Sequence, residues 1–285
     1  MPPEPPVASP RTLAEAFAVL ASVAHRPVAG GTDLLVQITG EIGEPPERVI
    51  DLWGLDELRG IRVEPDALVI GALATYTDIR HSPDVAEHLP ALAEAAATIG
   101  AAQIQNRGTL GGNAANASPA GDTLPILLAT DAELVVGGAR GERSVPAREF
   151  WPAYRRTALA PDELILRIRF PIHSGRQVRF RKVGTRRAQA ISKVVMALAW
   201  ERHAADRAWH DVRLALGSVA ATPIRAAAIE AVLEGSEPTA EVADAAAAAL
   251  AGELSPIDDV RSTADYRRAV AARVLHRLIR DEGGW

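Results

Sequence analysis

The chain has 285 residues, 48% hydrophobic and 24% charged, enough apolar material for a substantial core and too little charge for a disordered chain. Aromatics make up only 4%, so the core is built mainly from Ala, Val, Leu and Ile, and a formal net charge of -5 argues against a general nucleic-acid binder. With Cys 0 the sequence excludes a disulfide, a thiolate nucleophile and a Cys-ligated iron–sulfur cluster, and its 7 histidines form no HxH or HxxxH pair suited to a metal.

The first element is signalled by Thr12, Leu13, Ala14 and Glu15, a capping-box pattern that opens a helix through about Ser22. Arg26 to Ala29 follows as a short strand that delivers the chain into AGGTDLL, Ala29 to Leu35. Val49 to Leu52 and the apolar run Ala67 to Gly71 read as strands, and Thr75 to Asp78 caps another helix. Pro90 to Ile99 is Ala- and Leu-rich with helical spacing, and it leads into a polar, glycine-rich stretch from Thr98 to Asp122. Pro125 to Ala129 is helical and Glu133 to Val136 is a strand. Leu164 to Phe170 alternates, with Leu164, Leu166, Ile168 and Phe170 on one face and Ile165, Arg167 and Arg169 on the other.

Pro171 to Arg176 interrupts the strand signal and marks a boundary. Beyond it Gln177 to Val183, Ser192 to Glu201 and Asp211 to Ser218 read as strands. Thr222 and Pro223 read as an N-cap with proline at N1, followed by helices ending near Gly235 and Gly252. A last helix from about Ser262 or Thr263 gathers Val270, Val274, Leu275, Leu278 and Ile279 on one face. The longest apolar stretches, such as Ala245 to Ala251, fall well short of the roughly 20 residues of a membrane-spanning helix. The start MPPEPPVASP lacks the basic-then-apolar order of a secretory signal, so a cytoplasmic setting is the expectation.

The chemistry lies in the glycine segments. No Gly-Lys pair exists, which excludes a P-loop, and GxGxxG is absent. Gly30 and Gly31 offer backbone donors after a strand, with Thr32 adding a hydroxyl; Thr109, Gly111, Gly112 and Asn113 offer a second bank. Two such banks suit a pyrophosphate, and Asp122 is placed to accept hydrogen bonds from a ribose hydroxyl. The competing reading is that both segments are ordinary turns.

AGGTDLL, GTLGGNAANASPAGD and the later FRKVGTRRAQAISKV, Phe180 to Val194, resemble the FAD-binding medium subunit of molybdenum hydroxylases, the family of xanthine dehydrogenase and carbon monoxide dehydrogenase. The likeness runs from about residue 5 to 282, and the third motif leans toward the xanthine dehydrogenase-like branch. It implies an α+β fold: a two-subdomain FAD-binding domain of the PCMH/vanillyl-alcohol-oxidase type over 1–173, subdomains about 1–55 and 56–173, then antiparallel sheet plus helices over 174–285. It implies further that Ala29, Gly30, Gly31, Thr32, Asp33, Leu34 and Leu35 wrap the FAD pyrophosphate and that Thr109, Gly111, Gly112 and Asn113 close over it. Ile99 packs by the cofactor, Ser118 and Asp122 stand near the phosphate and adenosine ribose, and Ile165 and Lys182 stand beside the isoalloxazine ring.

By the same resemblance no side chain of this chain is a general acid or base. Molybdopterin resides on a large partner subunit and 2Fe-2S clusters on a small one; electrons reach FAD here and leave to NAD+ or another acceptor, in a dimer of heterotrimers. The substrate is not legible in this chain. Two other readings stay open: a stand-alone flavin reductase of the same FAD-binding superfamily, and a flavin-free scaffold.

Overall fold

A computed structural model describes residues 5–40, 44–203 and 207–285. Strands β1 (Val7–Ala8), β2 (Arg26–Val28) and β3 (Val49–Asp51) form a small parallel sheet in the order β1-β3-β2. Helix α1 (Leu13–Ser22) covers it, capped by the Thr12 hydroxyl, which accepts from the Glu15 N–H. The short helix α2 (Leu34–Thr39) follows the AGGTDLL turn.

Strands β4 (Ile61–Val63), β5 (Ala67–Gly71), β6 (Glu133–Gly138), β7 (Gly141–Pro146) and β8 (Leu164–Pro171) make an antiparallel sheet in the order β4-β5-β8-β6-β7. Between β5 and β6 the chain runs through α3 (Tyr76–His81), α4 (Pro83–His88), α5 (Pro90–Thr98), α6 (Ala102–Gln105), α7 (Leu110–Asn116) and α8 (Leu124–Ala129); α9 (Ala147–Phe150) follows β7. Helix α3 starts on the expected device: Thr75 Oγ1 accepts from the Asp78 N–H while the Asp78 carboxylate accepts from the Thr75 N–H.

The alternation expected along β8 is corrected by a bulge. Pairing with β6 passes from Val135↔Arg167 to Val136↔Ile165, so Leu166 is the extra residue. One added residue flips the pleat, and Ile165 joins Ile168 and Phe170 in the core under the helices. Leu164 and Leu166 instead pack into the core with α1 and β3.

Strands β9 (Arg176–Val183), β10 (Val194–Arg202), β11 (Trp209–Gly217) and β12 (Ile224–Arg225) form the last sheet, in the order β12-β11-β10-β9. Thr222 and Pro223 do not cap a helix. They lead into β12, which pairs Arg225 with Ala215 and Ile224 with Leu216, and α10 (Ala227–Leu233) begins only at Ala227 with no side-chain cap. Helices α11 (Ala240–Glu253) and α12 (Ala264–Gly283) complete the layer, with Thr263 as the N-cap of α12. Leu275, Leu278 and Ile279 of α12 are buried, and Val270 and Val274 pack at the margin of the same core. Among the described residues no helix is long and apolar enough to cross a membrane.

Candidate functional site: a two-limbed cleft

AGGTDLL leaves β2 and bends at Gly31, whose φ of 75° lies in the left-handed region that disfavours a side chain. Gly30 is fixed by crowding, since a Cβ there would stand 1.7 Å from the Arg107 carbonyl oxygen. The N–H groups of Gly30, Gly31, Thr32 and Asp33 donate to no acceptor among the described residues. Successive unpaired amides around one bend form a concave donor set that suits an anion.

The second segment has a different anatomy from the expected bank of free amides. It is the cap and first turns of α7, not a loop. Thr109 Oγ1 accepts from the Gly112 N–H (3.0 Å), the Thr109 carbonyl from the Asn113 N–H (3.0 Å) and the Ala72 carbonyl from the Gly111 N–H (3.0 Å). What this segment presents to a ligand is side chains. Thr123 Oγ1 donates to Asn113 Oδ1 at 2.6 Å, which leaves the Asn113 NH2 available. Asn116 Nδ2 donates to Asp33 Oδ1 at 3.0 Å and ties the two segments together.

Two cavities open between the segments. The smaller, about 400 Å³, is lined by Ala29, Gly30, Gly31 and Leu34, by Thr109, Gly111 and Gly112, and by Ile165 among other apolar residues. The larger, about 680 Å³, is walled by Ile99, Ser118, Asp122 and Lys182, with Ser192 and Ser218 from the last sheet. Thr32, Asp33, Tyr76, Asn113 and Asn116 line both, so the limbs meet beside the unpaired amides. Leu35 lines neither and is 56% exposed on α2.

The structure separates Ile165 and Lys182, expected together beside the isoalloxazine ring, and joins Lys182 to Asp122, expected near the ribose. Strand β9 packs against α5, so the Lys182 side chain donates to the Thr98 carbonyl (3.2 Å) and to Asp122 Oδ2 (2.5 Å). The two form one buried ion pair in the larger limb, while Ile165 stands in the other. Burial pushes the Asp122 carboxyl above the usual carboxylate range, against the opposing charge and hydrogen bond of Lys182 and the nearby Ser192 hydroxyl. Asp122 Oδ1 is buried with no hydrogen-bond partner, an acceptor that a ligand in the cleft would satisfy.

Asp33 stands exposed at the junction, and partial desolvation by its surroundings raises its carboxyl pKa, partly offset by the charge of Arg155 and the Asn116 hydrogen bond. Sequence reasoning passed over Tyr76 and Asn116. A signal for Tyr76 was there: a rare aromatic placed directly after the Thr75 cap, in a chain with 4% aromatics.

Residues 4–173 match the family described as FAD binding domain in molybdopterin dehydrogenase, and residues 179–281 match the CO dehydrogenase flavoprotein C-terminal domain. The carbon monoxide dehydrogenase medium chain of Hydrogenophaga pseudoflava is 35% identical over 277 residues, 95% of this chain and 94% of that one. The nicotinate dehydrogenase FAD-subunit of Eubacterium barkeri is 33% identical, covering 97% of both chains. A solved carbon monoxide dehydrogenase from Hydrogenophaga pseudoflava, lacking the Mo-pyranopterin moiety, superposes with a TM-score of 0.92 at 34% identity over 97% of this chain and 96% of the other. The chain belongs to the FAD-binding medium subunits of the molybdenum hydroxylases.

Proposed function

We propose that the cleft holds one FAD across both limbs, and that the chain is the electron-transfer subunit between a partner's iron–sulfur clusters and an external acceptor. The observation that carries this is the run of unpaired amides at Gly30, Gly31, Thr32 and Asp33, placed where the two limbs meet. A diphosphate has its nucleoside on one side and its ribityl-flavin on the other, so a donor set at a junction is the arrangement such a ligand needs. The Asn113 NH2 completes it from the α7 side.

The isoalloxazine belongs in the larger limb, because its polar edge needs donors and acceptors and that limb supplies the Asp122–Lys182 pair with the free Oδ1. The adenine belongs in the smaller limb, against Ile165 and the backbone of AGGTDLL. FAD supplies the conversion between single-electron delivery and two-electron discharge. The chain's own residues bind, orient and exclude water: the amides hold the diphosphate, Asp122 and Lys182 fix the edge of the ring, and Ile99 covers it.

The partners in this reading are a large molybdopterin-binding subunit and a small iron–sulfur subunit, in a dimer of heterotrimers. The full-length match, which includes residues 179–281, supports a subunit over a stand-alone flavin reductase. Two finer readings each have support. The Phe180 to Val194 motif favours a xanthine dehydrogenase-like complex delivering to NAD+, and the 35% identity to a carbon monoxide dehydrogenase medium chain favours a carbon monoxide-oxidising one. Turnover of the copurified complex with xanthine and NAD+, against carbon monoxide and a dye acceptor, separates them.

The test of the FAD assignment is a visible spectrum and flavin content of the purified chain. The wild type carries about one FAD, and Gly31→Val, which strains a left-handed φ at the donor set, loses most of it. A colourless wild type that cannot be loaded with FAD overturns the proposal.

A further inference from the structure

Tyr76 is a buried titratable residue to which neither the motifs nor the FAD reading assign a role. It is 4% exposed, at the first position of α3, and lines both limbs of the cleft. Its backbone N–H donates to the Gly108 carbonyl at 3.1 Å, and its ring edge occupies the space over Gly108, where a Cβ would stand 2.7 Å from Cε2. The phenol is therefore held rigidly between the start of α3 and the segment that enters α7. Its hydroxyl makes no hydrogen bond among the described residues, and its oxygen is not one of the fully enclosed polar atoms.

We propose that Tyr76 is a cofactor ligand, its hydroxyl donating to the diphosphate at the junction of the limbs, opposite the amides of Gly30 to Asp33. The inference rests on the FAD reading and adds to it a donor from a separate element. Burial and the nearby carboxylates of Asp33 and Asp122 all raise the phenol pKa, so the group stays protonated and acts only as a donor toward an anion. A phenolate there would repel the phosphates; a phenol binds them. Because the ring is already locked, little side-chain entropy is lost when the bond forms.

The test is Tyr76→Phe in the full chain, stripped of flavin and titrated with FAD by flavin fluorescence. The expected result is a five- to tenfold higher Kd for FAD, with the melting temperature of the flavin-free protein unchanged, because the hydroxyl has no partner to lose there. The phosphorus NMR resonances of bound FAD should shift between wild type and Tyr76→Phe. An equal Kd with unchanged phosphorus resonances overturns this inference alone. A wild type that takes up no FAD overturns the parent reading with it, so the two failures are distinguishable. A lowered flavin-free melting temperature with equal FAD affinity assigns the hydroxyl a structural role and also overturns the proposal.

Discussion

At the scale of single residues the Asp122–Lys182 pair decides most. Both side chains are nearly inaccessible, at 10% and 4% exposure, and burying two charges together costs desolvation that only their mutual attraction and hydrogen bonds offset. Removing one partner is then far worse than removing both. Lys182→Met strands the Asp122 carboxylate, already short of a partner at Oδ1, and is expected to destabilise the chain by about 3 kcal/mol or more. The double variant Asp122→Asn/Lys182→Met should recover a large part of that loss. Urea denaturation of the four members of the cycle measures the coupling. A double variant as unstable as the sum of the single ones would show that the residues act separately.

At the scale of elements, α7 shows what the sequence carries and what it hides. Leu110–Asn116 is a helix despite Gly111 and Gly112, residues of low helix propensity. Packing overrides propensity here: Gly111 lies so close to Ala72 that a Cβ would come within 2.7 Å of the Ala72 Cβ, and Trp151 Nε1 donates to the Ala114 carbonyl at 3.0 Å. The glycines of GTLGG were therefore legible as a site but not as its mechanism, because close approach to the chain's own backbone leaves the same sequence mark as close approach to a phosphate. Lys182 was legible as a candidate, and it lines the cleft, but its partner was not legible, since Asp122 lies 60 positions away and only the packing of β9 on α5 joins them. Elements with local signals, such as α1 after Thr12 and α3 after Thr75, read directly because cap and helix are adjacent in the chain. Thr109→Val tests the revised anatomy: it removes the acceptor of the Gly112 N–H and should cost about 1 kcal/mol of stability. Urea melts of the flavin-free variant measure it, and no loss would mean that Thr109 is not holding the turn.

At the scale of the whole molecule, the sequence boundary near Pro171 suggests two units, whereas the cores point to one cooperative system. Strand β10 is buried on both faces: Val195, Ala197 and Ala199 belong to the core under the N-terminal helices, and Val194, Met196, Leu198 and Trp200 to the core under α10, α11 and α12. Phe180 and Ala215, from the strands either side, add to the first of these. Asp131 accepts from Arg225 Nη1 (3.0 Å) and Arg213 Nε (2.9 Å), and the Ser218 N–H donates to the Pro119 carbonyl (2.8 Å), so polar ties close the same seam. Unfolding either side alone would expose the apolar face of the last sheet to water, which costs roughly 25 cal/mol per Å² of apolar area. Calorimetry of the flavin-free chain should thus give one transition, with calorimetric and van't Hoff enthalpies equal. FAD, bound across the same seam in the proposed reading, should move that single transition upward without splitting it. Two resolved transitions, with FAD shifting only the first, would mean that the seam is weaker than its buried strand implies and that the cleft closes on its cofactor from one side alone.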